Sequence, residues 1–182
     1  MSHIHTVPGQ YDLTASAYIV YTGGRAPALL LHRHRKLNKY LQFGGHVELD
    51  ESPWSAVAHE ITEESGYSMS RLDLLQPGIP AATISEGIMH PQPVTTISVR
   101  FGDTDHYHTD IAYAFTAKDM PPGSADRSES AEIKAFTMPE LIALPTEDIP
   151  EDVREIGVFI LQECLASWTN VPSVSFLTEN PR

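Results

Sequence analysis

The chain has 182 residues and a formal net charge of -12, from 12 basic and 24 acidic residues. This length fits one medium-sized domain better than two, and the acidic charge argues against general binding to nucleic-acid backbones or to anionic membranes. It does not exclude a small phosphorylated substrate, because a bound metal or a local basic patch can reverse the field within a site.

The single cysteine, Cys164, excludes an internal disulfide and favours a reducing compartment. The first residues lack a signal-peptide pattern, and no apolar run approaches membrane-spanning length. These features together predict a soluble cytoplasmic protein.

In chain order, residues 1–14 have the composition of a polar lead-in. Two apolar runs then predict strands at residues 16–21 and 28–34, separated by a turn that contains two glycines and a proline. A basic stretch at residues 32–39 leads into a second Gly-Gly loop.

The clearest predicted helix follows this loop. Ser52 can cap it, Pro53 suits its first position and Gly66 suits the residue just beyond its end. Its apolar residues recur at helical spacing and predict one buried stripe: Trp54, Val57, Ala58 and Ile61.

The second half of the chain predicts three further strands and a second long helix. The strands are expected at residues 95–101, 106–115 and 132–137, with a helical turn opening at MPEL. The helix is expected at residues 150–168, and the last residues, 169–182, have the composition of a loose tail. Strands before and after a central helix favour a mixed sheet covered by helices on two sides.

Three glutamates are concentrated near the end of the first helix: Glu60, Glu63 and Glu64. Helical spacing predicts that they lie on one side, roughly opposite the Val57 and Ile61 stripe. Like charges at this spacing destabilise an isolated helix, and the helix dipole also disfavours anions near the C-terminus. A solvated acidic face and an oxygen-ligand site for a hard divalent cation are both compatible with the cluster.

The segment around these glutamates resembles the Nudix box of the Nudix hydrolases. Gly45 is followed after five residues by Glu51, and after seven more by HEITEESGY, residues 59–67. The family pattern at this last stretch is Arg-Glu-aliphatic-x-Glu-Glu-x-Gly-aliphatic. The chain departs from it at two positions, where His59 replaces the arginine and Tyr67 replaces the final aliphatic residue.

The resemblance implies an α/β fold of the Nudix type, an α/β/α sandwich with a mixed β-sheet, over residues 1–182 as a single domain. It implies a metal-dependent pyrophosphohydrolase that uses Mg²⁺ or Mn²⁺ and attacks a small organic diphosphate, such as a nucleoside diphosphate derivative, with a metal-activated water. By position, the metal ligands would be Glu60, Glu63, Glu64 and the backbone carbonyl of Gly45. Relatives in the family are often dimers, so a homodimer is compatible with the resemblance.

His59 leaves two interpretations open. In the family, the arginine at this position pairs with glutamates of the box, and arginine is always charged with a rigid fork of donors. His59 could substitute for it by donating to Glu51 or to a helix glutamate, which would leave an active enzyme. Alternatively the site is weakened, and the chain is a slow enzyme or a Nudix-fold nucleotide-binding or regulatory module.

Three further groups of residues are candidates for substrate or metal binding. The basic stretch could contact substrate phosphate through Arg33, Arg35 or Lys36. On the strand at residues 106–115, His106, His108 and Asp110 alternate onto one face and could bind a transition metal or the substrate. Glu129 or Glu132 resembles the additional carboxylate that Nudix enzymes often supply from outside the box. For each group a solvated polar surface is the alternative.

Overall fold

The computed structural model describes residues 7–78, 87–100, 105–123 and 130–177. Within these ranges, nine strands form one mixed sheet: β1 Tyr11–Tyr21, β2 Ala28–His34, β3 Lys39–Leu41, β4 Phe43–His46, β5 Asp73–Gln76, β6 Thr95–Arg100, β7 Tyr107–Ala117, β8 Ser130–Thr137 and β9 Thr169–Pro172. The described helices are α1 Pro53–Glu60, α2 Met138–Ala143, α3 Glu151–Phe159 and α4 Leu165–Ser167. A π-helical turn continues α1 over Ile61–Ser65 and another joins α3 to α4 over Ile160–Cys164, while short 3₁₀ turns occupy Met69–Arg71 and Ser173–Phe176.

Strand β1 is central to the sheet. The main order of strands is β3-β2-β1-β7-β5-β9, and β4, β6 and β8 pair with β1, β7 and β2 respectively. The β1–β7 pair is parallel and the other described pairs are antiparallel. One edge of β1 is paired with β7 along its whole length, and the other edge is paired first with β4 and then with β2.

Helices cover both faces of this sheet, as the predicted α/β/α sandwich requires. Alternate residues of β1 point to opposite faces, so Ala17 packs with Trp54 and Val57 of α1. Tyr18 instead packs with Val153 of α3. The mixed sheet with helical layers on its two sides confirms the predicted fold class.

Two terminal predictions were wrong where the structure describes the chain. Residues 1–14 were expected to be a lead-in, but β1 begins within them, at Tyr11. The polar residues Asp12 and Thr14 of this strand are buried. The tail expected from residue 169 begins as strand β9, which pairs with β5, and Ser173 is buried and donates to the Leu72 carbonyl oxygen.

Strand β2 has the predicted bounds, and other elements follow the predicted pattern with shifted ends. The antiparallel pair predicted at residues 95–101 and 106–115 is β6 with β7, and the strand predicted at 132–137 begins earlier, at Ser130. Among the described helices, none is long and apolar enough to cross a membrane.

The reactivity of Cys164, which lies in the π-helical turn between α3 and α4, tests how these helices pack on the sheet. The thiol is buried, and burial raises its pKa to about 11. At pH 8 a thiol with that pKa is only ~0.1% thiolate, against roughly a quarter for an ordinary cysteine. We expect alkylation of Cys164 by iodoacetamide at pH 8 to be at least ~100-fold slower in the native protein than in urea. Native labelling within tenfold of the urea rate would contradict the burial.

Candidate functional site

Helix α1 is held at both ends by the residues that the sequence suggested. Ser52 Oγ accepts a hydrogen bond from the Ser55 backbone N–H, and Ser55 Oγ accepts one from the Ser52 backbone N–H. These two bonds form a capping box. At the far end Gly66 has φ of 73°, the left-handed region in which glycine carries no side-chain penalty. These caps fix where the glutamates of the helix lie.

The three glutamates do not share one solvated face. Glu60 and Glu64 are buried, with 8% and 4% exposure, whereas the side chain of Glu63 is 55% exposed. The predicted arrangement opposite the apolar stripe was therefore wrong. Glu60 lies one turn after Val57 in α1 and Glu64 lies in the π-helical turn after Ile61, so both side chains are buried next to the apolar stripe.

Glu64 is fixed against strand β4. The Gly44 backbone N–H donates to Glu64 Oε2 over 2.9 Å, and His32 Nε2 lies 3.7 Å from Glu64 Oε1. Burial lowers the pKa of His32 to about 4, so this histidine is neutral near pH 7 and the contact is not an ion pair. A buried carboxylate thus sits next to the Gly-Gly segment of the box.

His59 lies between two carboxylates of the box, as the first of its two interpretations expects. His59 Nε2 is 3.0 Å from Glu63 Oε1, and Nδ1 is 3.4 Å from Glu51 Oε1. Desolvation lowers the pKa of His59, but the hydrogen bond to Glu63 and the charges of the three neighbouring glutamates outweigh it, so the pKa is raised above its usual 6.5. Its side chain is 56% exposed, and it crosslinks Glu51 to Glu63 at the surface.

Tyr67, the second departure from the Nudix pattern, is part of the core. The ring packs in the same cluster as Trp54 and Ile61, and the hydroxyl donates to the Asp119 carbonyl oxygen. Burial raises the pKa of Tyr67 to about 12. An aromatic ring with a satisfied hydroxyl therefore replaces the aliphatic residue without exposing polar atoms in the core.

A cavity of about 260 Å³ opens beside Glu64. Its wall includes Gly44, Gly45, Glu64, Lys36 and His108. Apolar residues Leu41, Ile97 and Val99 complete part of the same wall. The cavity thus joins the C-terminal end of the Nudix helix to the polar residues of strands β1 and β7.

Of the three basic candidates for phosphate binding, one lines the cavity and two do not. Lys36 lines the cavity. Arg33 is not among its lining residues; it forms an ion pair with Asp148 at 2.9 Å and lies over the Tyr40 ring. Arg35 is likewise outside the lining set.

The candidate carboxylate Glu132 also lies away from the cavity wall. It accepts a hydrogen bond from the Tyr40 hydroxyl at 2.7 Å and contacts Lys134 Nζ at 3.3 Å. This hydrogen bond and the Lys134 charge lower its pKa, so its contacts are those of a surface network. Glu129 lies outside the described residues.

Of the three polar residues predicted to act together, His108 and Asp110 of β7 both line the cavity, but the three have different contacts. Asp110 Oδ1 accepts from Thr14 Oγ1 at 2.8 Å and from Ser16 Oγ at 2.9 Å. Burial raises the pKa of Asp110 even though these two hydrogen bonds lower it. His106 and His108 instead contact each other, with ring centroids 5.3 Å apart.

Two residues that the sequence did not indicate complete the histidine cluster. Asp12, which is 0% exposed, has its Oδ2 3.2 Å from His106 Nε2 and 3.3 Å from His46 Nε2. Asp12 was assigned to a polar lead-in and His46 to a loop. The alternation of polar Asp12, Thr14 and Ser16 along β1 is the signal that could have identified Asp12.

The comparisons with known proteins agree with the fold and the box. A sequence model of the NUDIX domain matches residues 11–156. A hydrolase of the NUDIX family from Clostridium perfringens is 26% identical over 82% of this chain and 95% of its own, with a TM-score of 0.65. The comparison with curated proteins returned no significant match.

Two more distant solved structures share the fold. The MutT NUDIX hydrolase from Burkholderia pseudomallei is 18% identical, covering 81% of this chain and 95% of its own, with a TM-score of 0.58. The NUDIX domain of Shewanella oneidensis NrtR, complexed with ADP ribose, is 13% identical over 81% of this chain and 84% of its own, with a TM-score of 0.60. The matched family model and the fold together establish that this chain belongs to the NUDIX domain family and is a Nudix hydrolase.

Proposed function

We propose that the protein is a pyrophosphohydrolase that depends on Mg²⁺ or Mn²⁺ and cleaves a small organic diphosphate, such as a nucleoside diphosphate derivative. The observation that carries this proposal is the position of Glu64. Its carboxylate is buried, is oriented by the Gly44 N–H and lines the cavity together with Gly45 and Lys36.

The donors at this position fit a hard divalent cation. Carboxylate and carbonyl oxygens are the ligands that Mg²⁺ and Mn²⁺ prefer, and Glu60, Glu63, Glu64 and the Gly45 carbonyl would hold the ion. Burial of Glu60 and Glu64 is costly for charged groups unless an opposite charge compensates them. When bound, such an ion polarises the phosphoryl oxygens and lowers the pKa of a bound water.

The chain's own residues would position the substrate and the proton acceptor. Lys36, at the cavity wall, supplies positive charge toward a diphosphate that glutamates alone would repel. One of the box glutamates, directly or through a water, accepts the proton of the attacking water. His59 holds Glu51 and Glu63 in place through its two ring nitrogens.

The size of the cavity favours a small substrate. About 260 Å³ lies just below the usual range of ligand pockets, roughly 300–1,000 Å³. The apolar wall formed by Leu41, Ile97 and Val99 would contact the organic part of the substrate, while the polar end near Glu64 would receive the diphosphate.

The test is phosphate or nucleotide release from a panel of diphosphates. The panel should contain ADP-ribose, nucleoside diphosphate sugars and dinucleoside polyphosphates, each assayed with Mg²⁺, with Mn²⁺ and with EDTA. We expect turnover of at least one small diphosphate with metal and none with EDTA. Binding of these compounds without turnover under any metal condition would favour a binding or regulatory module instead.

Replacing His59 tests whether it performs the role of the family's arginine. We expect His59→Gln to lower kcat/KM by about 10-fold, because loss of a residue that orients metal ligands typically costs 10–100-fold. We expect His59→Arg to restore or exceed wild-type activity, since arginine can donate to both carboxylates. His90→Gln, at an exposed position, is the control. If His59→Gln and His59→Arg are equally impaired, the bridging role is wrong.

A further inference from the structure

Apart from the Nudix glutamates, which lie on the first helix and the turn after it, three strands carry a second group of side chains that could bind a metal. Asp12 of β1, His46 of β4 and His108 of β7 each place one donor atom so that all three lie within 4.8 Å of one another. None of the three is among the box glutamates, and their nitrogen-rich donor set differs from that group's oxygen ligands.

The sheet itself brings these residues together. In the parallel β1–β7 pair, Asp12 is the direct partner of His108. In the antiparallel β1–β4 pair, Thr14 is the partner of His46, so Asp12 and His46 lie on the same face of neighbouring strands, two residues apart in register. Strands hold side chains more precisely than loops do, so the cluster is built into the centre of the fold.

The donor geometry is close to that of a zinc site. Zinc bonds of about 2.0–2.1 Å place two ligands of a tetrahedral site roughly 3.3–3.4 Å apart. Asp12 Oδ2 and His46 Nε2 are 3.3 Å apart, and the ring of half-buried His108 lies beside that of His46, with centroids 5.0 Å apart. A donor nitrogen of His108 lies within 4.8 Å of the other two donor atoms, so it has to approach them to complete the site.

His106 adds the support that ligating carboxylates usually have. Its Nε2 lies 3.2 Å from the same Asp12 Oδ2, and both residues are buried. In metal sites a neighbouring hydrogen bond of this kind orients the ligand and raises metal affinity. His106 would therefore be a positioning residue rather than a ligand.

We propose that Asp12, His46 and His108 bind a Zn²⁺ ion, or a similar borderline transition metal, with a coordination position open to the cavity. His46 and His108 line that cavity, while Asp12 is not among its lining residues. Three protein ligands with an open position are typical of zinc sites that bind water or a substrate oxygen. One carboxylate and one divalent ion leave a net charge of about +1 at the site, which would attract an anionic group of the substrate. Only this attraction of the substrate rests on the proposed function.

Metal binding is measured directly, without an activity assay. Protein freed of metal with a chelator is titrated with Zn²⁺ by calorimetry and with Co²⁺ by visible absorption. With excess Mg²⁺ present to occupy the box glutamates, we expect one further Zn²⁺ equivalent to bind in the wild type. We expect its affinity to be at least ~100-fold lower in His108→Gln and Asp12→Asn, and about 10–100-fold lower in His106→Gln. Thermal unfolding of each metal-free variant establishes that it is folded. His108 is only half-buried, so His108→Gln should disturb folding least.

Three controls locate the ion. His90→Gln removes an exposed histidine and should bind Zn²⁺ like the wild type, whereas loss of binding in a His3→Gln, His5→Gln double variant would place the ion at the chain start and overturn the proposal. Unchanged Zn²⁺ affinity in folded His108→Gln would also overturn it. Glu64→Gln should keep the Zn²⁺ equivalent, so the zinc site can stand even if no diphosphate is hydrolysed.

The open coordination position has its own readout. Adding AMP to the Co²⁺-loaded protein should change the visible spectrum, because a phosphate oxygen would replace water on the metal. The same addition to Co²⁺-loaded Glu64→Gln should give the same change. A spectrum that AMP leaves unaltered in both proteins would show that the metal is closed to ligands and would overturn that part of the proposal.

Discussion

Glu64→Gln should lower kcat for diphosphate hydrolysis by on the order of 100-fold or more, because it removes a charged ligand whose metal supplies several kcal/mol of transition-state stabilisation. The amide keeps an oxygen that can accept from the Gly44 N–H, so the local backbone should be preserved. The neutral side chain cannot balance a divalent cation.

The control for this substitution is Glu155→Gln, which makes the same change of charge at an exposed position of α3. It should retain wild-type kcat and wild-type Mn²⁺ binding by calorimetry. Glu63→Gln should fall between the two, since Glu63 is more than half exposed and its carboxylate is less constrained. Wild-type turnover by Glu64→Gln, with Mn²⁺ binding unchanged, would remove Glu64 from the metal site.

The fold and the Nudix helix could be predicted because their signals are local. Ser52, Pro53 and Gly66 mark the ends of the helix through rules that act within a few residues, and the structure contains these caps. Apolar runs marked β2 and the β6–β7 pair for the same reason. The bounds of β2 match the prediction, whereas β6 and β7 end one or two residues away from it because terminal residues are decided by neighbouring strands.

The remaining parts of the site depend on contacts between distant residues. Asp12 and Thr14 have the composition of a lead-in, and they become interior through pairing with β7, more than 90 residues later, and with β4. Alternation correctly placed His108 and Asp110 on one face, where both line the cavity, but it could not show that Asp110 contacts Thr14 and Ser16 rather than the histidines. The burial of Glu60 and Glu64 was not predicted, because the burial of residues next to an apolar stripe depends on which elements pack against the helix.

The Gly-Gly segment of the box should be a position at which a single added methyl group is strongly destabilising. Gly44 has φ of 148°, and a Cβ there would lie 2.4 Å from the Ala15 carbonyl oxygen and 2.8 Å from the Ser16 Cα. Both contacts are with the backbone of β1, the central strand, so neither can be relieved by turning a side chain.

We expect Gly44→Ala to lower the free energy of unfolding in urea by about 3 kcal/mol or more, since positive-φ strain and overpacking each cost roughly 1–3 kcal/mol. Gly78→Ala separates the two causes, because Gly78 has φ of 54° with nothing within 4 Å of its Cβ position, and it should lose only about 1–2 kcal/mol. Any Gly44→Ala protein that folds should also lose activity, because the displaced Gly44 N–H no longer holds Glu64. If the two alanine variants are equally stable, β4 can move away from β1 at little cost, and the rigid placement of Glu64 and Gly45 at the cavity would not follow from the sheet.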